Sequence, residues 1–195
     1  MGFCAELDPA GNKPQLPGTH FSDAADFLIR RVGEVVSWTW LILLLVIMTN
    51  VMARYVFGRG LVEFEEIQWH LYSIGFLCGL SYCMQTDNHV RIDILHERMG
   101  LRTRSRIELC GLIFFLLPFI LLVVYNAVPF VAYSWSVNEI SDAPGGLPAR
   151  WAIKSMLIVG FLLLGLAAVS RLTRVTALLI GFPRPLPQSK RQTHD

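Results

Sequence analysis

Charge is scarce in this sequence. Only 16% of its 195 residues are Asp, Glu, Lys or Arg, against 53% hydrophobic, whereas an average soluble domain carries roughly 25% charged residues. A soluble enzyme surface is therefore excluded, and the composition places the chain in a membrane. Cysteine is equally sparse. Cys4, Cys78, Cys83 and Cys110 form no C-x-x-C pair, so neither a structural zinc site nor a dithiol redox centre is expected. Residues 1–20 hold Pro9, Pro14 and Pro17 but no apolar stretch, so they read as a flexible polar tail rather than a cleaved signal peptide. Basic residues form no face outside the loops flanking apolar runs, which excludes nucleic acid as a partner.

What the sequence does contain is long uncharged runs. Residues 35–53 carry no formal charge, and at about 1.5 Å per residue such a run covers most of a hydrocarbon core roughly 30 Å thick. Phe21, Ala24, Ala25, Leu28 and Val32 precede it on one helical face, with Ser22 placed as a cap and Asp23 and Asp26 near the positive N-terminus. This predicts an amphipathic interfacial lead-in. Residues 67–86 form a second uncharged run. A third, 109–138, is too long for a perpendicular span, and Pro118 and Pro129 are placed to kink or tilt it. The fourth, 155–170, is short, but Lys154, Arg171 and Arg174 can snorkel and lengthen it.

The expectation is an all-α integral membrane protein with four transmembrane helices and amphipathic interfacial segments. The spans fall at about residues 35–55, 66–86, 107–133 and 151–180. Residues 21–182 then form the membrane domain, and 183–195 a polar tail. Lys13, Arg30, Arg31, the five arginines at 91–106, and Arg171, Arg174, Arg184, Lys190 and Arg191 lie on one side; Arg54, Arg59, Arg150 and Lys154 lie on the other. That asymmetry predicts that both termini are cytoplasmic. The opposite loops are acidic, with Glu63, Glu65 and Glu66 in one and Glu139 and Asp142 in the other.

The middles of the runs hold almost nothing ionisable. Asn50 and Asn126 are the deepest polar residues and are candidates for interhelical hydrogen bonds. His70 is the only histidine inside a run, so a bis-histidine haem site lacks its second ligand. Gly75 and Gly79 form a G-x-x-x-G in the second run, a pattern that permits close helix approach. Its partner could be another helix of the chain or another subunit. After that run come His89, Val90, Arg91, Ile92 and Asp93, then Leu95 and Met99 on the Ile92 face. The segment reads as a helix end and salt-bridged basic turn lying along the membrane interface.

Two other classes fit parts of this pattern. One is the membrane anchor of a redox enzyme, using His70. The other is a stand-alone small transporter or channel built on the glycine stripe.

The four-span plan, Glu66 and Trp69 opening the second span, the glycine within it, and the run His89 to Asp93 resemble the small membrane subunit of tripartite ATP-independent periplasmic (TRAP) transporters, the DctQ-like family. The likeness covers roughly residues 25–180. It implies a non-catalytic subunit of the bacterial inner membrane that binds no cofactor and scaffolds a large, DctM-like membrane subunit. That partner would hold the substrate and sodium sites, and an extracytoplasmic solute-binding protein would deliver an organic acid. The resemblance also implies that His89, Arg91 and Asp93 fix the cytoplasmic turn or touch the large subunit, with Gly75 and Gly79 as further candidates for the subunit interface. Glu63, Glu65 and Glu66 would then lie where the binding protein docks. Membrane lipid is the remaining partner.

Overall fold

A long apolar run that cannot pair its backbone with water closes its hydrogen bonds within the segment, so each becomes a helix. The computed structural model describes residues 20–58, 60–86, 101–143 and 146–180. Helix α1 spans His20–Phe57 and α2 Val62–Gln85. A helical rod follows, made of α3 (Leu101–Gly111), a π-helical turn (Leu112–Leu116) and α4 (Leu117–Ser136). Helix α5 spans Arg150–Ile180. The polar tails and the motif containing His89, Arg91 and Asp93 lie outside the described residues.

The amphipathic lead-in is continuous with the first apolar run, giving one helix of 38 residues. Among the described residues, three helices are long and apolar enough to cross a membrane: Phe21–Phe57, Ser105–Ser136 and Arg150–Leu179. Helix α2 has 24 residues, but Glu63, Glu65 and Glu66 crowd its first turns, and Gln68 and His70 follow. Pro118 leaves its mark as the π turn just before it, where the N–H of Leu117 reaches back to Leu112 O. The helix runs on through Pro129 to Ser136.

Helix α5 is the hub. It packs against α1, α2, α3 and α4, because its sequence alternates large and small residues along one stripe. Gly160, Leu164, Ala168 and Val175 follow helical spacing, and the last two are completely buried. At Gly160 a Cβ would come within 2.7 Å of the Cβ of Leu77 on α2. Leu112, Ile120, Leu164 and Ala168 form a core that Leu80 and Met84 of α2 close from the side. Helices α1 and α2 meet similarly, with Gly33 under the Tyr82 ring and Gly75 under Trp40. Small residues at these crossings let dispersion contacts accumulate where no hydrophobic drive separates helix from lipid.

Helix α4 is the exception, burying only Ile120, Ala127 and Ser134, a heptad-spaced line against α5. It stops at a left-handed residue, Asn138 with φ 49°. The N–H groups of Asn138 and Glu139 return to Trp135 O at 3.2 Å and Ser134 O at 3.1 Å. That double bond caps the last carbonyls, and asparagine tolerates the conformation better than most residues.

Candidate functional site

The charged side chains that the described helices carry gather in two layers, one at each end of the helices. At the end where α1 begins and α5 finishes, the Arg174 guanidinium donates to the Asp26 carboxylate, and Asp23 lies 3.8 Å away. Ser170 Oγ donates to Asp26 Oδ1 at 2.9 Å, and the Gln85 amide donates to the backbone carbonyl of Asp26 at 3.0 Å. Beside them Arg171 Nε meets Glu108 Oε1 at 2.5 Å. These contacts join α1, α2, α3 and α5 at one level. The arginines expected to snorkel therefore spend their charge on neighbouring helices. Asp26 and Arg174 are each more than four-fifths buried, so each needs the other.

At the opposite end the loop between α4 and α5 folds onto α2. Glu66 accepts from Ser141 Oγ and from the Leu147 N–H, the latter at 2.6 Å. The loop holds itself through Ser141 N to Leu147 O at 3.3 Å and Gly146 N to Ala143 O at 2.8 Å. Lys154 of α5 donates to Glu139 and sits 4.1 Å from the centre of the Phe130 ring. Arg150 lies 4.0 Å from Glu139 and 3.8 Å from Asp142. The hydrogen bond from Lys154, aided by the charge of Arg150, holds the Glu139 carboxyl below its ordinary range. Trp135 and Trp151 pack edge to face beneath the loop, their ring centroids 4.3 Å apart.

The residues singled out from the sequence take separate places in this frame. Glu65 pairs with Arg54 at 2.5 Å, Glu66 anchors the loop, and Glu63 is exposed. Asn50 is buried and accepts from the Leu61 N–H at 3.4 Å, bracing the α1–α2 turn. Asn126 is exposed and donates to Leu122 O on its own helix at 2.7 Å. Gly75 faces α1, but a Cβ on Gly79 would meet nothing within 4 Å, so the two glycines do not act as one stripe. His70 contacts Glu66 O through Nδ1 at 2.6 Å.

Gly33, Gly160 and the Asp26–Arg174 pair carry the packing without having been picked out. Isolated glycines announce nothing by spacing. Asp23 and Asp26, repeated by Arg171 and Arg174 at the same i, i+3 interval, are the signal that could have found the pair. Among the described residues no three His, Cys, Asp or Glu side chains come together to hold a metal ion. The arrangement fastens helices to one another at both ends and leaves the stretch between them uncharged.

No curated protein matches the chain. The family described as tripartite ATP-independent periplasmic transporters, DctQ component, matches residues 43–178. That region runs from within α1 to the last turns of α5, most of the chain. It includes both layers of polar contacts except Asp23 and Asp26. The protein is a membrane protein and belongs to the family of small DctQ components of the tripartite ATP-independent periplasmic transporters.

Proposed function

We propose that this chain is the static scaffold of its transporter, a non-catalytic subunit that frames a large, DctM-like membrane subunit. The large subunit holds the solute and sodium sites and moves; an extracytoplasmic binding protein delivers an organic acid to it. The supporting observation is the uncharged middle between two layers of paired charge. A chain that conducts a charged solute itself places ionisable groups or broken helices near the midplane. Here Asp26, Glu108, Glu139, Arg171, Arg174 and Lys154 are spent on holding helices together at the ends.

In this reading α2 is a fourth span. Both termini and the segment around His89, Arg91 and Asp93 face the cytoplasm of a bacterial cell, and that segment touches the large subunit. On the outer side Glu63 and Asp142 are the exposed acids, and they form the docking edge for the binding protein. Glu65 and Glu66 support that edge from within.

The test is affinity purification of the tagged chain from its native membrane in mild detergent, with mass identification of partners and a visible spectrum. A colourless complex with one large polytopic protein in fixed ratio is expected. Recovery of the chain alone, recovery with haem or a soluble enzyme, or selective flux through liposomes holding only this chain would overturn the proposal.

A further inference from the structure

Helix α4 has an outer face whose chemistry does not suit lipid. Pro118 and Pro129 are eleven residues apart, about three helical turns, so they lie on one side of the helix. Both are exposed, on the side away from the Ile120, Ala127 and Ser134 line that meets α5. Neither proline has an N–H. Tyr125 O therefore loses its ordinary donor at Pro129, and a carbonyl of the π turn, Ile113 or Phe114, loses its donor at Pro118. The side chains around these carbonyls stand outward, with Phe114 71% exposed, Tyr125 80% and Leu122 62%. Acyl chains have no donor to offer, and a bare carbonyl in hydrocarbon is costly. A neighbouring helix with hydroxyl or amide side chains can supply two donors at this three-turn spacing.

We infer that the outer face of α4, centred on Leu122 and Tyr125, is where a donor-bearing transmembrane helix of the large subunit seats on this chain. The inference rests on the scaffold reading above and adds which face carries the contact and what chemistry the partner brings. The exposed apolar face of α1 has no comparable feature, because residues 35–53 contain no proline.

The test places a benzophenone amino acid at Leu122 or at Leu45, which is 59% exposed on α1, in the full chain expressed with its native partners. Illumination in the native membrane is expected to join position 122, and not 45, to the same large polytopic protein that co-purifies with the unmodified chain. A second measurement replaces both prolines (P118A and P129A), which returns an N–H to each carbonyl. Retention of the partner in detergent is expected to fall roughly threefold per carbonyl, with insertion unchanged. Adducts at 45 instead of 122, lipid adducts or a second copy of this chain at 122, or undiminished retention in the double variant would overturn the inference. If no large protein co-purifies at all, the scaffold reading fails first and takes this inference with it.

Discussion

Replacing Gly160 by alanine forces α2 and α5 apart. The new Cβ would stand 2.7 Å from the Leu77 Cβ and 3.3 Å from the Leu77 carbonyl carbon and oxygen. A relaxed carbon contact lies near 3.5–4.0 Å, so the helices must open by about 1 Å. No rotamer change relieves this, because a Cβ and a carbonyl move only with their backbone. Overpacking of this kind costs about 1–3 kcal/mol, offset by up to about 1 kcal/mol from alanine's better helix propensity. Because the clash is against backbone, the cost lies in the upper half of that range and the net loss is about 1–2 kcal/mol, a fall in Tm on the order of 2–8 °C for a chain of this size.

The same substitution at Gly79 meets nothing within 4 Å, so only the propensity gain remains and Tm rises by about 2–4 °C. Thermal melts of the two full-length variants and the wild type in one mild detergent, followed by far-ultraviolet circular dichroism, give the comparison. A Gly160→Ala variant that melts at or above the wild type would refute the reasoning. So would a Gly79→Ala variant that falls by as much.

Two further outcomes follow from the polar layers. Asp26→Asn removes the charge facing Arg174, whose side chain is 19% exposed. Breaking a well-buried pair costs about 3–5 kcal/mol, and this partly hydrated one about 2; amide exchange over residues 22–34 should speed up, and a double variant with Arg174→Gln should cost less than the sum of the singles. Additive losses would show that the pair does not act as a unit. Glu139 has a carboxyl held below its ordinary value of 4.5, so its contribution is fully present above that value. As the pH falls through about 4.5 toward the folded-state pKa, the unfolded state binds the proton first and the contribution is lost. Amide protection of residues 139–143, measured relative to the intrinsic exchange rate at each pH, should therefore decrease between pH 6 and pH 3, and Glu139→Gln should flatten that decrease; an unchanged profile in the variant would reject the role given to Lys154.

The uncharged runs were legible because apolar length is a local property: residues 35–53 or 155–170 declare a helix without knowing their neighbours. The lead-in from Phe21 was legible as amphipathic, but not its fusion to the span, since Gly33, a weak helix former, and Glu34 interrupt the apolar pattern between Val32 and Val35. Which polar groups meet was not legible, because Asp26 and Arg174 are 148 residues apart. Glu66 likewise finds Ser141 and Leu147 only through the fold. The acidic trio illustrates the limit: composition alone makes Glu63, Glu65 and Glu66 equivalent, while the fold gives them three different surroundings. Gly75 and Gly79 share a motif yet face different surroundings, because four residues advance a helix by 40° beyond a full turn.

The clasp between Asp26 and Arg174 also bears on biogenesis. The two residues are 148 positions apart, so the ribosome must make all the intervening helices before the first helix can close on the last. Until then the growing chain presents Asp26 and Glu108 without the arginines that neutralise them in the finished protein. A nascent product that stalls before Arg171 therefore carries unneutralised acids at that end, with its first helix not yet clasped to its last. Such a product differs from the mature subunit in charge and packing at once, which gives membrane proteases a physical basis for telling them apart.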